Sequence, residues 1–130
     1  MRTKTIKQTV IFKASPHEVY EALMDSKKHA QFTGAPAKIL REIGGKFKVY
    51  GDYIDGENIE LVPDTKIVQT WHGSEWPKGH YSTVIFLLKK VKEETQLDFT
   101  HEGVPEEHCE NIDKGWVEHY WNKMKSSFGW

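Results

Sequence analysis

Histidine is the residue type in this chain with the most evident capacity for chemistry. Seven histidines occur, at positions 17, 29, 72, 80, 101, 108 and 119, and each imidazole could act as an acid, a base or a metal ligand. Their spacing contains neither an HExxH motif nor the paired cysteines that are typical of zinc sites. We therefore expect no metal ion and no bound cofactor in this protein.

His101 is the strongest single candidate for a functional side chain. It follows Leu97 and Phe99 in strict alternation, so these three side chains share one face of a predicted strand. At the end of that strand His101 could project into a cleft as a polar anchor or an acid–base group. Alternatively, it hydrogen-bonds the turn formed by residues 103–105 and fixes the start of the final helix.

The single cysteine, Cys109, excludes an internal disulfide framework and is typical of a reducing compartment. His108 precedes it, which would suit a catalytic thiol, but its helical spacing from Ile112 and Trp116 favours a thiol packed in the core. The sequence has no GxSxG motif, no Walker loop and no dinucleotide fingerprint. We therefore expect a protein that is not an enzyme.

Aromatic residues form a second group of candidates, for binding rather than catalysis. An apolar cleft with a few polar groups could hold a small hydrophobic ligand, although large aromatic side chains also fill protein cores. The sequence leaves both readings open. The cleft candidates, with His101, are Trp71, Tyr81, Phe99, Trp116 and Tyr120.

The loop over residues 73–79 offers a candidate contact for a partner protein. It contains Trp76, Pro77 and Lys78. Interfaces are enriched in tryptophan anchors, and a tryptophan held by a following proline loses little entropy on binding. Alternatively, Trp76 folds back and closes the end of the sheet.

The composition bounds the class of protein. A chain of 130 residues, 38% hydrophobic and 28% charged, predicts a single domain over residues 1–130. The net charge of −1 argues against a nucleic-acid partner, and no apolar run is long enough for a membrane span. Charge is uneven: residues 1–48 hold ten Lys/Arg against four Asp/Glu, and residues 49–130 hold eight against fifteen. We expect a cytoplasmic protein whose charge asymmetry could orient it toward a partner.

Hydrophobic periodicity and turn signals predict the strands and helices that position these residues. A strand is predicted over 5–13, followed by a helix that Ser15, Pro16 and Glu18 begin with a capping box. A short helix is predicted at 27–32, and turn signals then separate strands at 37–43, 46–50, 53–62, 65–72, 80–90 and 94–101. Short connections favour antiparallel neighbours.

A long amphipathic helix is predicted from about 106 to 128, and its aromatic face needs a large concave surface. A curved antiparallel sheet supplies such a surface, so we expect an α+β fold in which the sheet grips the last helix. At 100° per residue, the inner face of this helix contains Ile112, Trp116, Val117, Tyr120, Trp121, Met124 and Phe128.

This order of elements resembles the helix-grip fold of the START-like (SRPBCC, Bet v 1-like) superfamily. Taken together, the order and spacing of short motifs from about residue 5 to residue 128 resemble the carboxy-terminal domain of the activator of heat-shock protein 90 ATPase. The motifs are Gly44-Gly45-Lys46-Phe47, Gly56, Leu61-Val62-Pro63, Trp71, Trp76-Pro77-Lys78-Gly79-His80-Tyr81, Gly103-Val104-Pro105 and Gly115-Trp116.

The resemblance implies a non-catalytic, co-chaperone-like domain that contacts heat-shock protein 90 and could stimulate its ATPase. The family's activators also carry an amino-terminal domain that makes the main contact with the chaperone, and nothing before Thr5 could encode it. We therefore expect weak binding, of roughly micromolar affinity or poorer. The alternative function is a carrier or sensor of a small hydrophobic ligand in the cleft between the sheet and the C-terminal helix.

Overall fold

Seven antiparallel strands form one sheet in the computed structural model, which describes residues 2–128. Along the sheet the strands follow the order β1-β7-β6-β5-β4-β3-β2. Consecutive strands from β2 to β7 are therefore neighbours, and β1 closes the order beside β7. The strands are β1 (Thr3–Phe12), β2 (Ala37–Ile39), β3 (Lys46–Val49), β4 (Ile54–Val62), β5 (Lys66–Gly73), β6 (Ser82–Val91) and β7 (Glu94–Pro105).

Two short helices follow β1, as the sequence predicts. Helix α1 (Pro16–Met24) begins with the capping box: the Ser15 hydroxyl accepts a hydrogen bond from the Glu18 backbone N–H at 3.1 Å, and the Glu18 carboxylate accepts one from the Ser15 N–H at 3.2 Å. Helix α2 (Ser26–Thr33) ends at Gly34, whose φ of 77° is the left-handed conformation that glycine adopts at low cost.

The last helical stretch is one continuous run of four helical segments. A 3-10 turn (Glu106–His108) leads into an α-helical segment (Cys109–Trp116), a π-helical segment (Val117–Trp121) and a final α-helical segment (Asn122–Ser127). We refer to the whole as the C-terminal helix. The mixed α+β helix-grip architecture predicted from the sequence is confirmed.

The π-helical segment changes which residues face the sheet. The Asn122 N–H donates to the Val117 carbonyl, five residues back, so this turn contains one residue more than an α-helical turn. Trp121 is thereby brought over Trp116, and the two rings stack with centroids 5.4 Å apart and planes 21° apart. Val117 is displaced outward and is 40% exposed. The prediction of an inward-facing Val117, based on ideal α-helical periodicity, is wrong.

Strand boundaries differ from prediction where contacts with distant residues end or extend a strand. β2 ends at Ile39 because the Asn58 side chain donates to the Leu40 and Glu42 carbonyls and holds the following residues as a loop. β7 runs on to Pro105 because its last residues pair with Thr3 and Lys4 at the start of β1. Local sequence propensity could not predict either boundary, because both contacts join distant parts of the chain.

Gly56 is a point of close approach between neighbouring strands. It lies opposite Phe47 on β3 and Trp71 on β5. A Cβ atom built there would sit 1.8 Å from the Thr70 carbonyl oxygen and 2.7 Å from a Phe47 ring carbon. Since one of these atoms is backbone, a side chain at position 56 would displace the strands.

We predict that two Gly→Ala substitutions change the free energy of unfolding in opposite directions. Gly56→Ala should lower the free energy of unfolding by roughly 3 kcal/mol because the added methyl group overpacks the sheet. Gly115→Ala is the matched control: its Cβ would meet nothing closer than the His119 ring at 3.7 Å, and alanine in a helix interior should stabilise by about 0.5–1 kcal/mol. Urea denaturation of both variants measures this, and equal effects would contradict the close-approach argument.

Candidate functional site

A groove of about 660 Å³ lies between the first half of the C-terminal helix and one end of the sheet. Its walls come from the hairpin between β3 and β4, from β5 and the loop after it, and from the helix. The groove brings together five of the residues proposed from the sequence, which are Trp71, Trp76, His101, Trp116 and Tyr120.

Three of these side chains, Trp71, Trp116 and Tyr120, form the floor of the groove and belong mainly to the core. Trp71 is 6% exposed, and Trp116 and Tyr120 are each 3% exposed. The Trp116 ring centroid lies 4.8 Å from that of Trp71 and 4.7 Å from that of Tyr120. Because these rings cover one another, little of their surface is open to the groove. Phe99 lies beneath Trp116 at 4.3 Å and has no access to the groove.

Tyr81 lies outside the groove, contrary to its proposed place in the cleft. It is 49% exposed, its hydroxyl donates to Asp55 at 3.2 Å, and its ring lies 5.2 Å from that of His72. β6 begins at Ser82, one residue later, and it is Ser82 that points into the core. Side chains of adjacent residues in an extended chain point to opposite faces, so Tyr81 points outward.

Trp76 folds back over the end of the sheet. It is 9% exposed, and its ring packs near the rings of His72, His80 and His101 with centroids about 6 Å away. Pro77 and Lys78 are exposed. A partner contact through this loop stays a prediction, and in the present conformation Pro77 and Lys78 offer the accessible surface.

His101 is buried at the junction of the sheet and the C-terminal helix, with both ring nitrogens bonded. The Trp116 indole N–H can only donate, so Nδ1 of His101 accepts it at 3.1 Å. Nε2 therefore carries the proton and donates to the Ser82 hydroxyl at 2.7 Å, and Ser82 donates to the Trp71 carbonyl at 3.1 Å. Burial lowers the pKa of His101 to about 3. These contacts hold a neutral imidazole and leave neither nitrogen for a ligand.

The turn contact considered for His101 is made by another histidine. His80 Nε2 donates to the Gly103 carbonyl at 2.8 Å, and the His80 carbonyl accepts a hydrogen bond from His72 Nδ1 at 2.7 Å. His80 therefore fixes the loop 73–81 against the end of β7. His101 points away from the turn because its place in the alternation is an inward one.

The hydrogen bonds continue from Trp71 across the core. Its indole N–H donates to Gln69 at 2.8 Å, the Gln69 amide donates to Asn58 at 3.0 Å, and the Asn58 amide donates to the Leu40 carbonyl at 2.7 Å. Sequence reasoning missed Gln69, Asn58 and Ser82 as members of one buried network. The available signal was Gln69, a polar residue at an inward position between Ile67 and Trp71.

A second buried histidine, His29 on α2, contacts the groove floor from below. Its Nε2 lies 3.0 Å from the Tyr120 hydroxyl, and its Nδ1 has no hydrogen-bond partner among the described residues. Burial lowers the pKa of His29 to about 4 and raises the pKa of Tyr120 well above its usual value. Both groups are therefore neutral at pH 7.

Tyr50 connects one bank of the groove to the C-terminal helix. Its hydroxyl donates to the His119 carbonyl within the π-helical segment, and burial raises its pKa to about 12. Tyr50 has a φ of 54°, a conformation uncommon for a non-glycine residue. Asparagine or glycine would adopt this backbone at lower cost. The contact of the Tyr50 side chain with the helix is therefore the structural reason for a tyrosine at this position.

Two further features concern the described part of the chain as a whole. Among residues 2–128, no three metal-ligating side chains gather where they could hold a metal ion. None of the helices in these residues is both long enough and apolar enough to cross a membrane.

The two buried histidines predict an acid-sensitive fold. Both have a pKa near 6.5 when unfolded and a lower pKa when folded, so the unfolded chain binds more protons below pH 6.5. Stability should therefore be complete above about pH 6.5 and decline as the pH falls toward the folded pKa values. Between pH 7.5 and 5, each histidine should contribute a loss of about 2 kcal/mol.

His29→Phe tests this linkage, because it removes one of the two titrating groups and the unpartnered nitrogen. Urea unfolding at pH 7.5 and at pH 5 should show about 2 kcal/mol less pH dependence in this variant than in the parent chain. His17→Phe, at an exposed position, is the matched control. Identical pH dependence in His29→Phe and the parent would contradict the assignment.

Comparison with known proteins places these features in a family. The family described as Activator of Hsp90 ATPase homolog 1-like protein matches residues 13–129. The chain is 33% identical over 126 residues to the human Activator of 90 kDa heat shock protein ATPase homolog 1, and 33% identical over 129 residues to the Dictyostelium discoideum homologue. These matches cover 97% and 98% of this chain but 37% and 34% of those proteins. The chain thus spans little more than a third of the curated relatives it matches.

Solved structures show the same fold. The crystal structure of an HSP90 activator from Plasmodium falciparum superposes with a TM-score of 0.90 at 25% identity and covers 96% of each chain. The Aha1 dimer from Colwellia psychrerythraea superposes with a TM-score of 0.82 at 19% identity, also over 96% of each chain, and shows the fold alone. The residues that form the groove and its hydrogen-bonded floor, from Tyr50 to Tyr120, all fall within the matched range. The chain therefore belongs to the Activator of Hsp90 ATPase homolog 1-like family.

Proposed function

We propose that this chain is a non-catalytic co-chaperone domain that binds heat-shock protein 90 and stimulates its ATPase. The observation that carries the proposal is the likeness to the Plasmodium HSP90 activator, which extends over 96% of both chains at a TM-score of 0.90. The names of the human and Dictyostelium relatives support the same partner. A cytoplasmic location, which we also propose, agrees with the single free cysteine.

Stimulation of an ATPase by a binding protein requires a preference between conformations of the ATPase. A ligand shifts an equilibrium only by its difference in affinity for the two states. We therefore propose that the chain binds the ATP-bound, closed state of the chaperone more tightly than the open state. The neutral, fully bonded His101 supports a role through binding rather than through acid–base chemistry.

The exposed part of the loop after β5 is the contact that we propose. Pro77 and Lys78 stand outside, while Trp76 packs beneath them and His80 ties the loop to β7. A loop held in this way pays little entropy on binding, because its conformation is set before the partner arrives. Lys78 also provides a positive charge for an acidic surface on the chaperone.

We predict that Lys78→Glu weakens stimulation of the chaperone's ATPase. The reversal places a like charge against the proposed acidic surface, so half-maximal stimulation should need about five- to tenfold more protein. Lys90→Glu, at the opposite end of β6, makes the same change in net charge and should behave as the parent chain. The ATPase rate at increasing concentrations of each variant measures the effect.

An NMR titration separates the function from the choice of surface. Isotope-labelled chain should show broadening around residues 77–79 on adding heat-shock protein 90, and more of it with a non-hydrolysable nucleotide. Stimulation that survives Lys78→Glu would contradict the loop contact but leave the co-chaperone function. A rate equal to the buffer control at high excess of the parent chain would contradict the function itself.

A second candidate function is that of a carrier or sensor of a small molecule. The specific observation in its favour is the groove of about 660 Å³ under the C-terminal helix, a volume in the range of small-molecule sites. Native mass spectrometry of freshly purified protein would show a retained adduct of several hundred daltons if a ligand is carried. The two functions use different surfaces, since Pro77 and Lys78 do not line the groove.

A further inference from the structure

We propose that the groove under the C-terminal helix binds small organic cations, in which a protonated amine is joined to a compact apolar body. This inference deepens the second candidate function and rests on it, because it states the chemical class of the ligand. It also differs from the sequence-based expectation of a purely hydrophobic ligand. The charge of the groove, its accessible surface and its floor each support it.

The charge of the groove is negative on both banks. Glu75 lines it from the loop after β5, and Glu118 lines it from the C-terminal helix. Of the described residues that line the groove, none is a lysine or an arginine. Two lysines of the same helix are engaged elsewhere: Lys114 pairs with Glu110 at 3.4 Å, and Lys123 donates to the Thr33 carbonyl at 3.0 Å. A cation entering the groove would therefore meet two carboxylates and no fixed cation.

Glu75 is already directed to the mouth of the groove. The pKa of Tyr53 is raised, first by burial and then by the charge of Glu75 and a hydrogen bond to it. Glu75 and Tyr53 both line the groove, and the charge of Glu75 is close enough to act on the Tyr53 phenol. An ammonium group placed there would give the Glu75 carboxylate a charge-assisted hydrogen bond.

The accessible walls suit a compact apolar body. Tyr53 is 48% exposed, while Tyr50, Ile54 and Ile112 are half-buried. Gly115 contributes no side chain to the helix wall, which leaves space opposite the hairpin. A phenyl group with a short alkyl chain would cover these surfaces, and tyrosine rings also attract cations through their π faces.

The floor of the groove limits how deep a ligand can reach. Trp71, Trp116 and Tyr120 expose only 3–6% of their surface, and both nitrogens of His101 are occupied. Since the floor is closed by aromatic contacts, polar recognition falls to the side chains nearer the mouth, where Glu75 and Glu118 are the charged carboxylates. The headgroup of the ligand, and not its tail, should therefore set the affinity.

Three probes with the same body and different headgroups test the inference. They are 3-phenylpropylamine, 3-phenylpropanol and 3-phenylpropionate, titrated at pH 7 and low salt into the isotope-labelled chain. We expect the amine to shift the amide resonances of Tyr53, Glu75 and Gly115 and to bind at least about fivefold more tightly than the alcohol. The carboxylate should bind most weakly, because both Glu75 and Glu118 repel it.

Substitutions that each remove one carboxylate charge test where in the groove the cation binds. Glu75→Gln and Glu118→Gln should each weaken binding of the amine by about two- to fivefold, since each removes one exposed charge pair. Glu93→Gln, in the turn between β6 and β7 at the other end of the sheet, makes the same change in net charge and should leave the affinity unchanged within a factor of about 1.5. Binding of the alcohol should not respond to any of the three substitutions.

The outcomes separate this inference from the function on which it rests. Equal affinity for the three probes, or tightest binding of the carboxylate, would overturn the cation preference while leaving a ligand-binding groove. Preference for the amine that survives both Glu75→Gln and Glu118→Gln would place the cation elsewhere and overturn the site. Absence of binding by all three probes would overturn the inference together with the small-molecule function, and would leave the co-chaperone proposal standing.

Discussion

The buried indole N–H of Trp116 is the constraint on which the rest of this structure depends. A tryptophan that fills the concave face of a sheet must still satisfy its single donor, because an unpaired buried donor costs about 1–3 kcal/mol. His101 Nδ1 accepts it, the Ser82 hydroxyl accepts a hydrogen bond from His101 Nε2–H, and the Ser82 O–H donates to the Trp71 carbonyl. The C-terminal helix is thereby locked to three adjacent strands, β7, β6 and β5.

The same chain of hydrogen bonds determines which surfaces of the groove are accessible. His101 is neutral and saturated, so the position with the most chemical capacity in the sequence serves as a structural link. Because the aromatic floor is closed by contacts within the core, the accessible surface of the groove belongs to the β3–β4 hairpin, the loop after β5 and the outer edge of the helix. The surface open to solvent at this end of the molecule therefore includes tyrosines and carboxylates near the rim.

The π-helical segment reconciles two packing demands on one helix. Trp121 has to reach β1, where its indole N–H donates to Gln8, while Trp116 has to reach His101. The two tryptophans lie five positions apart in the chain, and the extra residue in the π turn lets their rings stack on one face. Tyr50 donates to the His119 carbonyl within that turn, so the irregular part of the helix is also tied to the wall of the groove.

Local sequence determined the elements of this protein, and distant contacts decided its site. The capping box at Ser15 and Glu18, the alternation through Leu97, Phe99 and His101, and the order of motifs were enough for the α+β helix-grip fold and its family, because each signal acts within a few residues. The hydrogen-bond partners of His101, the outward turn of Val117 and Tyr81 and the fold-back of Trp76 were decided only by tertiary structure. Such contacts join distant residues, as the hydrogen bond from Trp121 to Gln8 does across 113 positions, and no periodicity encodes which polar group will satisfy another across a core.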